Sequence, residues 1–263
     1  MFAEERQERI YQIVTQRTSV KVSELSSELD ISEVTIRRDL DELQRQKRII
    51  RTHGGAMSAY SVGREIVFRE LITKEADLKR QIARAAYGMI NDYDTLLLDT
   101  SSTVNELVKF IANGEKRNLR VITTSLLALR TLAGSKNCTV QIVGGDVNYA
   151  LETIEGSVAN RFIREIRVDK SFIGINGIDE RFGFSTPRYA DADIKIQMLQ
   201  SAHCGIVLSD HTKLGKTYLA RVDAPDYLIT DRPLPEFNYD RLGVGVTTIF
   251  AGQSPQEDAK KHD

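Results

Sequence analysis

The chain has 263 residues, of which 41% are hydrophobic and 28% charged, and carries a formal net charge of −1. That length suits two domains of unequal size, each with a real core, and no apolar run approaches the roughly 20 residues that a bilayer-crossing helix needs. The near-neutral balance gives no bulk signal for nucleic acid, so a charge-driven partner has to be met by a local patch.

The start, Met1 to Ile10, is charged throughout and lacks an apolar signal-peptide core, which points to a cytoplasmic address and no membrane partner. From about Glu4 to Gln16, Ile10, Ile13 and Val14 recur at helical spacing. A second short helix is predicted over Val22–Leu29 with Ser23 as its N-cap. Asp30 and Ile31 make a tight turn, and Ser32 caps a third helix whose first turn holds Glu33. In that helix Ile36, Leu40 and Leu43 form one apolar stripe. Val34, Arg38 and Arg45 then point away from it, with Thr35 and Arg37 on the flanks.

Three helices in such a short span are a helix-turn-helix layout. Residues 1–57 hold ten Lys/Arg and ten Asp/Glu, yet Arg37, Arg38, Arg45, Lys47, Arg48 and Arg51 cluster in one segment. A recognition helix needs donors on its outward face while the apolar stripe holds it on the domain. The segment Arg51-Thr-His-Gly-Gly55 suits a β-hairpin wing, with Gly54 and Gly55 supplying positive φ. The expected DNA contacts are Ser32, Val34, Thr35, Arg37, Arg38, Arg48, Arg51 and His53. Which arginine reads guanine and which grips phosphate is left open by residue type.

Residues 58–74, with Ser58, Ser61 and Gly63, read as a linker. A helix follows from Thr73 to about Ile90, with Leu78, Ile82, Ala85, Ala86 and Met89 on one side. Short apolar runs at Leu96–Asp99, Arg120–Thr123, Val140–Val143, Lys170–Ile173 and Gly205–Leu208 then alternate with helices from Thr103, Ser125 and Glu155 and near Ala192. That alternation predicts an α/β fold with a parallel sheet. Cys138 and Cys204 sit inside such runs and read as small buried hydrophobes. The polar tail after Gly252 is expected to be disordered.

Asp99-Thr-Ser-Ser-Thr103 follows a strand and opens a helix, where hydroxyls and unpaired amides favour an anion; plain N-capping is the alternative. The loops at Thr123–Ser125, Gly144–Gly145 and Gly174–Gly177 reach the same carboxyl edge of the sheet. His53, His203 and His211 are too scattered for a metal site, and no cofactor, metal or covalent catalysis is expected.

Ser32-x-x-Thr-Ile-Arg-Arg-Asp-Leu40 together with Arg-x-His-Gly-Gly-Ala56 resembles the DeoR family of bacterial transcriptional repressors, and the likeness extends to about Asp231. The resemblance implies a winged helix-turn-helix joined to a larger α/β sensor domain related to ribose-5-phosphate isomerase, with a phosphorylated sugar relieving repression. The segment at Asp99–Thr103 is similar to the family's Asp-x-Gly-Ser-Thr loop, with Ser101 in place of glycine. A glycine common near Lys47 is also missing, which leaves the turn ahead of the wing undefined. The family pattern adds Lys195, from Asp191-Ala-Asp-Ile-Lys195, and Asp210 and Lys213, from Asp210-His-Thr-Lys213.

The expected effector site is therefore Asp99, Ser101, Ser102, Thr103, Thr124, Ser125, Gly144, Gly145, Asn176, Gly177, Lys195, Asp210 and Lys213. The expected division is a DNA-binding domain over 1–57, a linker over 58–74, a sensor over 75–251 and a tail over 252–263. The function expected is a repressor of a carbohydrate-utilisation operon, binding double-stranded operator DNA as a homodimer or homotetramer. The competing reading is an isomerase-like enzyme, since Asn176-Gly-Ile-Asp-Glu180 resembles an isomerase's Asp-Gly-Ala-Asp-Glu. An amide at position 176 cannot take a proton, which leaves Asp179 as the remaining base.

Overall fold

The computed structural model describes residues 3–17, 19–46, 48–52, 54–58 and 74–252. The linker between 59 and 73 and the tail from 253 therefore lie outside the described residues. The chain divides into two compact units, Met1–Glu70 and Leu71–Asp263.

The first unit runs α1 (Ala3–Arg17), β1 (Ser19–Lys21), α2 (Val22–Leu29), α3 (Glu33–Arg45), β2 (Ile49–Thr52) and β3 (Gly55–Ser58). Ile10, Val14, Leu25, Ile36, Leu40, Leu43, Ile49 and Ala56 make its core. The predicted stripe of α3 is thus buried, and Ser32 Oγ caps the helix by accepting from the Thr35 amide at 3.4 Å. Ser23 is not the cap of α2: the helix begins earlier, at Val22, and the Glu24 carboxylate accepts the Lys21 amide instead. The antiparallel sheet has the order β1-β3-β2, with β1 too short to show any alternation in sequence.

Gly55 corrects another expectation. It does not adopt positive φ; its role is close approach, because a Cβ there would lie 2.0 Å from the Val20 carbonyl oxygen on the neighbouring strand. Gly55→Ala is therefore expected to push β3 off β1 and lower the melting temperature of the first unit. The expected cost is about 1–3 kcal/mol, the range for overpacking. A thermal melt indistinguishable from wild type would show that β1 yields freely.

The second unit is built on a parallel sheet: β4 (Thr95–Leu98), β5 (Leu119–Thr123), β6 (Cys138–Ile142), β9 (Val168–Gly174), β12 (Ala202–Leu208), β14 (Tyr227–Thr230) and β15 (Thr247–Phe250). Their order is β15-β14-β12-β9-β4-β5-β6, and every neighbouring pair is parallel. The chain starts in the middle at β4, fills one side, and returns through β9 to fill the other. The switch point, where a doubly wound sheet opens a crevice, therefore lies between the ends of β4 and β9.

Strand parity sorts the two faces. Leu96 and Leu98 pack with α4 (Ala76–Gly88), α5 (Ser102–Asn113) and α6 (Leu126–Leu132). Leu97 packs on the opposite side with α7 (Ser157–Arg164) and α8 (Tyr189–Gln200). Two small antiparallel sheets complete the unit: β7 (Asp146–Asn148) with β8 (Thr153–Glu155), and β10 (Gly177–Asp179), β11 (Gly183–Thr186) and β13 (Ala220–Val222) in the order β10-β11-β13. Glu155 ends β8 and α7 starts after Gly156, so the helix predicted from Glu155 begins two residues later. Cys138 and Cys204 are half-buried against the α4–α5 face of the core, and burial pushes both thiols up.

The buried stripe of α4 differs from the predicted one. It consists of Lys79, Ile82, Ala83 and Ala86, with Leu78, Ala85 and Met89 only half-buried. The lysine at a core-facing position hid the phase of the helix.

Candidate functional site

On the first unit, α3 presents Val34, Arg37 and Arg38 to solvent, with Val34 78% exposed. Thr35 is half-buried, its hydroxyl 3.0 Å from that of Ser32. Arg37 pairs with Glu33 one turn earlier at 2.7 Å, while Arg38 has no ion pair among the described residues. The other two arginines are held. Arg51 donates from Nη1 to the Arg37 carbonyl at 2.9 Å and to Asp41 at 2.6 Å, and its amide donates to Gln44 at 3.0 Å. Arg48 pairs with Glu8 at 2.7 Å and lies 3.9 Å from the centroid of the Tyr11 ring. Arg51 thus fastens the β-hairpin to α3, and Arg48 fastens the hairpin's entry to α1. His53 lies outside the described residues.

A residue absent from the sequence-based set positions this reader. Asp39 is buried and accepts a bidentate pair from Arg6, at 2.5 and 3.1 Å, and a further bond from Gln7 at 3.1 Å. A carboxylate gripped this way fixes the angle between α1 and α3. The signal was present: Asp39 falls in phase with Ile36, Leu40 and Leu43, where a polar residue needs a buried partner.

In the second unit Asp99 continues the alternation of Leu97, so its carboxylate points to the α8 side at the switch-point crevice. Lys195 Nζ lies 2.5 Å from Asp99 Oδ2 and 3.4 Å from Asp191 Oδ1, with the lysine side chain 6% exposed. The Gly174 amide, at the end of β9, donates to the same Asp99 oxygen at 2.9 Å. Burial opposes the Lys195 charge, but the two carboxylates outweigh it and hold the ammonium above the usual lysine range. At Asp99 burial is the largest influence and pushes the carboxyl up, against Lys195 and the Gly174 amide. Asp99 Oδ1 is buried and has no hydrogen-bond partner among the described residues.

The network continues along the rim. The Thr186 hydroxyl bonds to Asn176 Oδ1 at 2.9 Å and closely to Asp191. Arg188 pairs with Glu155 at 2.9 Å, and Asn148 donates to the same carboxylate at 3.0 Å. Burial pushes Glu155 up, and these two partners more than reverse it. Thr100 donates to the Thr153 hydroxyl at 2.9 Å and lies 3.5 Å from that of Thr124.

The crevice does not gather every expected residue. Ser101 Oγ accepts the Val104 amide and Ser125 Oγ the Ala128 amide, both at 3.1 Å, so both hydroxyls cap their helices. Ser102 and the buried Thr103 open α5, their amides in its first turn. Gly144 and Gly145 are exposed at the end of β6, two strands from β4. Gly177 sits in β10, where a Cβ would lie 2.4 Å from the Lys216 carbonyl; it accommodates a neighbouring segment. Asp210 follows the parity of Ile206 and Leu208 to the opposite face of the sheet. There it caps a short turn by accepting the Thr212 amide at 3.0 Å. Asp210, Lys213 and Glu106 bear on Lys79, which burial pulls below the usual lysine range. Lys79 also donates to the Lys74 carbonyl at 2.6 Å, close to where the chain enters this unit.

Residues 6–62 match the family pattern described as the DeoR-like helix-turn-helix domain, and residues 74–232 match the DeoR C terminal sensor domain. The chain belongs to the DeoR family of transcriptional regulators. It is 32% identical over 251 residues to the HTH-type transcriptional repressor GlcR of Bacillus subtilis, covering 93% of this chain and 95% of that one. It is 31% identical over 245 residues to the HTH-type transcriptional regulator GolR of Listeria innocua, covering 92% and 96%. Among solved structures, a ribose 5-phosphate isomerase from Methanocaldococcus jannaschii superposes with a TM-score of 0.37 at 21% identity, over 54% of this chain and 55% of that one.

Within this DeoR-family chain, Asp191, Thr186, Arg188, Glu155 and Lys79 are polar groups of the sensor unit that the residue-based site did not include. Asp191 carried a signal, since it precedes Lys195 by one helical turn. Lys79 carried another, at i, i+3 and i+4 from Ile82 and Ala83. Among the described residues no helix is long and apolar enough to cross a membrane, and no cluster of His, Cys, Asp or Glu is arranged to hold a metal ion.

Proposed function

We propose that this DeoR-family regulator is a repressor of a carbohydrate-utilisation operon whose second unit senses a phosphorylated sugar at the crevice between β4 and β9. The observation that carries the reading is Asp99 Oδ1, a buried carboxylate oxygen with no hydrogen-bond partner among the described residues, three residues ahead of the start of α5. An orphaned buried acceptor is costly, and a sugar hydroxyl is a donor that satisfies it. The helix N-terminus nearby favours the phosphate. Lys195 supplies the compensating positive charge. The names of relatives such as the lactose phosphotransferase system repressor of Staphylococcus aureus agree with a carbohydrate signal.

In this reading the protein acts in the cytoplasm. Two copies or more set their winged helices on paired half-sites of double-stranded DNA, with Ser32, Val34, Thr35, Arg37 and Arg38 at the groove. The effector lowers operator affinity by favouring an arrangement that misplaces the wings, which requires that it bind the two arrangements unequally. The isomerase alternative is weakened by Asp179. The Phe182 and Arg181 amides, at 2.8 and 2.9 Å, hold its carboxyl below the usual range, which makes it a poorer proton acceptor.

A thermal-shift panel tests the reading. A phosphorylated sugar at 100 times its Kd is expected to stabilise the protein by about 2.7 kcal/mol, with the unphosphorylated sugar giving much less, and to release the protein from the promoter fragment of its neighbouring operon. A panel in which no phosphorylated sugar shifts the melt, or aldose–ketose turnover in a coupled assay, would overturn it.

A further inference from the structure

Exposed apolar side chains of the second unit collect on one side. Of the nine large exposed hydrophobic residues described, Val147, Tyr149, Val158, Tyr189, Tyr218 and Leu219 lie on α8 or on segments around it. These segments form one surface: β7 pairs with β8, Glu155 of β8 binds Arg188 at the head of α8, Asn160 of α7 binds Asp193 of α8, and β13 packs against α8. Isolated exposed hydrophobes need no explanation, whereas a concentration of them marks an interaction site.

An open groove of about 440 Å³ runs along this side, lined by Tyr189, Ala190, Ala192, Asp193, Ile196 and Arg221. Asp193, on α8, carries a negative charge, and Arg221, on the edge strand β13, a positive one with no ion pair among the described residues. Tyr189, 69% exposed, is a knob beside the small side chains of Ala190 and Ala192. A surface with one knob, one hollow, one acid and one base is complementary to itself. In a two-fold contact residue i meets residue j and j meets i, so each groove can receive the other copy's tyrosine while both charge pairs form.

We propose that the outer face of α8 with β13 is where two copies of this chain meet, Arg221 of each against Asp193 of the other and Tyr189 of each in the other's groove. An anionic ligand would gain from Arg221 and lose to Asp193, and a cationic one the reverse, so a second copy suits the groove better than a charged small molecule. Because α8 also carries Asp191 and Lys195, the contact and the crevice share one rigid element. Only this last consequence rests on the sensor reading.

Charge reversal in the full-length protein tests the contact. Arg221→Glu and Asp193→Arg should each weaken self-association roughly tenfold or more by setting like charges together twice. In sedimentation velocity the mass falls to that of a monomer, or by half if the assembly is a tetramer. Mixing the two variants should restore the mass, because one charge contact then sets the introduced acid against the introduced base while the other keeps the native Arg221 against Asp193. The doubly substituted chain should restore the mass alone. Tyr189→Asp should weaken the assembly in a way that mixing with either variant does not repair. A wild type that sediments as a monomer, single variants with wild-type mass, or a mixture that stays dissociated would each overturn the proposal. The thermal shift by a phosphorylated sugar would survive failure of the contact, and the mass measurement would survive failure of the sensor.

Discussion

Arg38→Ala is expected to weaken binding to the operator by roughly tenfold to a hundredfold for each half-site, the effect of about 1–3 kcal/mol for one lost guanidinium contact to a base. Thermal stability and the response to sugar phosphate should be unchanged. The expectation rests on geometry: Arg38 lies on the exposed face of α3 and has no ion pair among the described residues, so its removal leaves no partner stranded. Arg51→Ala is the informative contrast. That guanidinium bonds to the Arg37 carbonyl and to Asp41, so its loss should lower DNA affinity and the melting temperature of the first unit together. The salt dependence separates the two roles open to Arg38. A phosphate contact lowers the slope of log affinity against log salt by about one, whereas a base contact leaves the slope and relaxes the preferred sequence. Equal loss of DNA and effector binding in Arg38→Ala would show that the variant is damaged as a whole and that the two units do not divide the labour.

How much of this could be read beforehand differs between the two units, for physical reasons. The helices of the first unit declare themselves because Ile36, Leu40 and Leu43 repeat at helical spacing and Ser32 stands at the cap. The parallel strands declare themselves because strands buried on both faces are short continuous apolar runs. What stayed hidden depends on partners distant in sequence. Asp39 looks like one more surface charge in Arg-Arg-Asp until Arg6 is brought to it across 33 positions. Lys79 looks like a break in an apolar stripe until Asp210 and Lys213, from beyond the end of β12, reach it on the same face of the sheet. The strands β7, β8, β10, β11 and β13 are only three or four residues each, too short for a period of two to be counted. At the crevice, Asp99 and Lys195 could be named from the family pattern and Asp191 stands one helical turn before Lys195, but Thr186 reaches Asp191 from a hairpin that no local signal announces, and Arg188 is tied to the rim only through the distant Glu155. Sequence also suggested that Asp210 and Lys213 belong beside Lys195; strand parity sends them to the other face, since Asp210 lies an odd number of residues beyond Val207.

Lys195→Met should give a regulator that still binds operator but that no phosphorylated sugar releases. The substitution removes the ammonium 2.5 Å from Asp99 and leaves that carboxylate buried without its counter-charge. Breaking such a pair costs about 3–5 kcal/mol when the remaining charge stays ionised. The variant has an escape, because Asp99 can take up a proton, and burial already pushes its carboxyl up in the wild type. The sign of the pH dependence follows. An aspartate whose folded pKa is raised binds more protons in the folded state than in the unfolded one, so stability falls as pH rises above the unfolded aspartate value of about 3.9. The deficit of Lys195→Met relative to wild type should therefore be small in mild acid and grow toward neutrality. Adding Asp99→Asn removes the stranded charge, so the double variant should be more stable at neutral pH than Lys195→Met and lose the pH-dependent deficit, while remaining deaf to the effector. Unfolding curves at several pH values check the charge argument, and operator release checks the sensor. A Lys195→Met protein that still lets go of its operator on adding sugar phosphate would take this lysine out of the effector site, even if its stability followed the expected course.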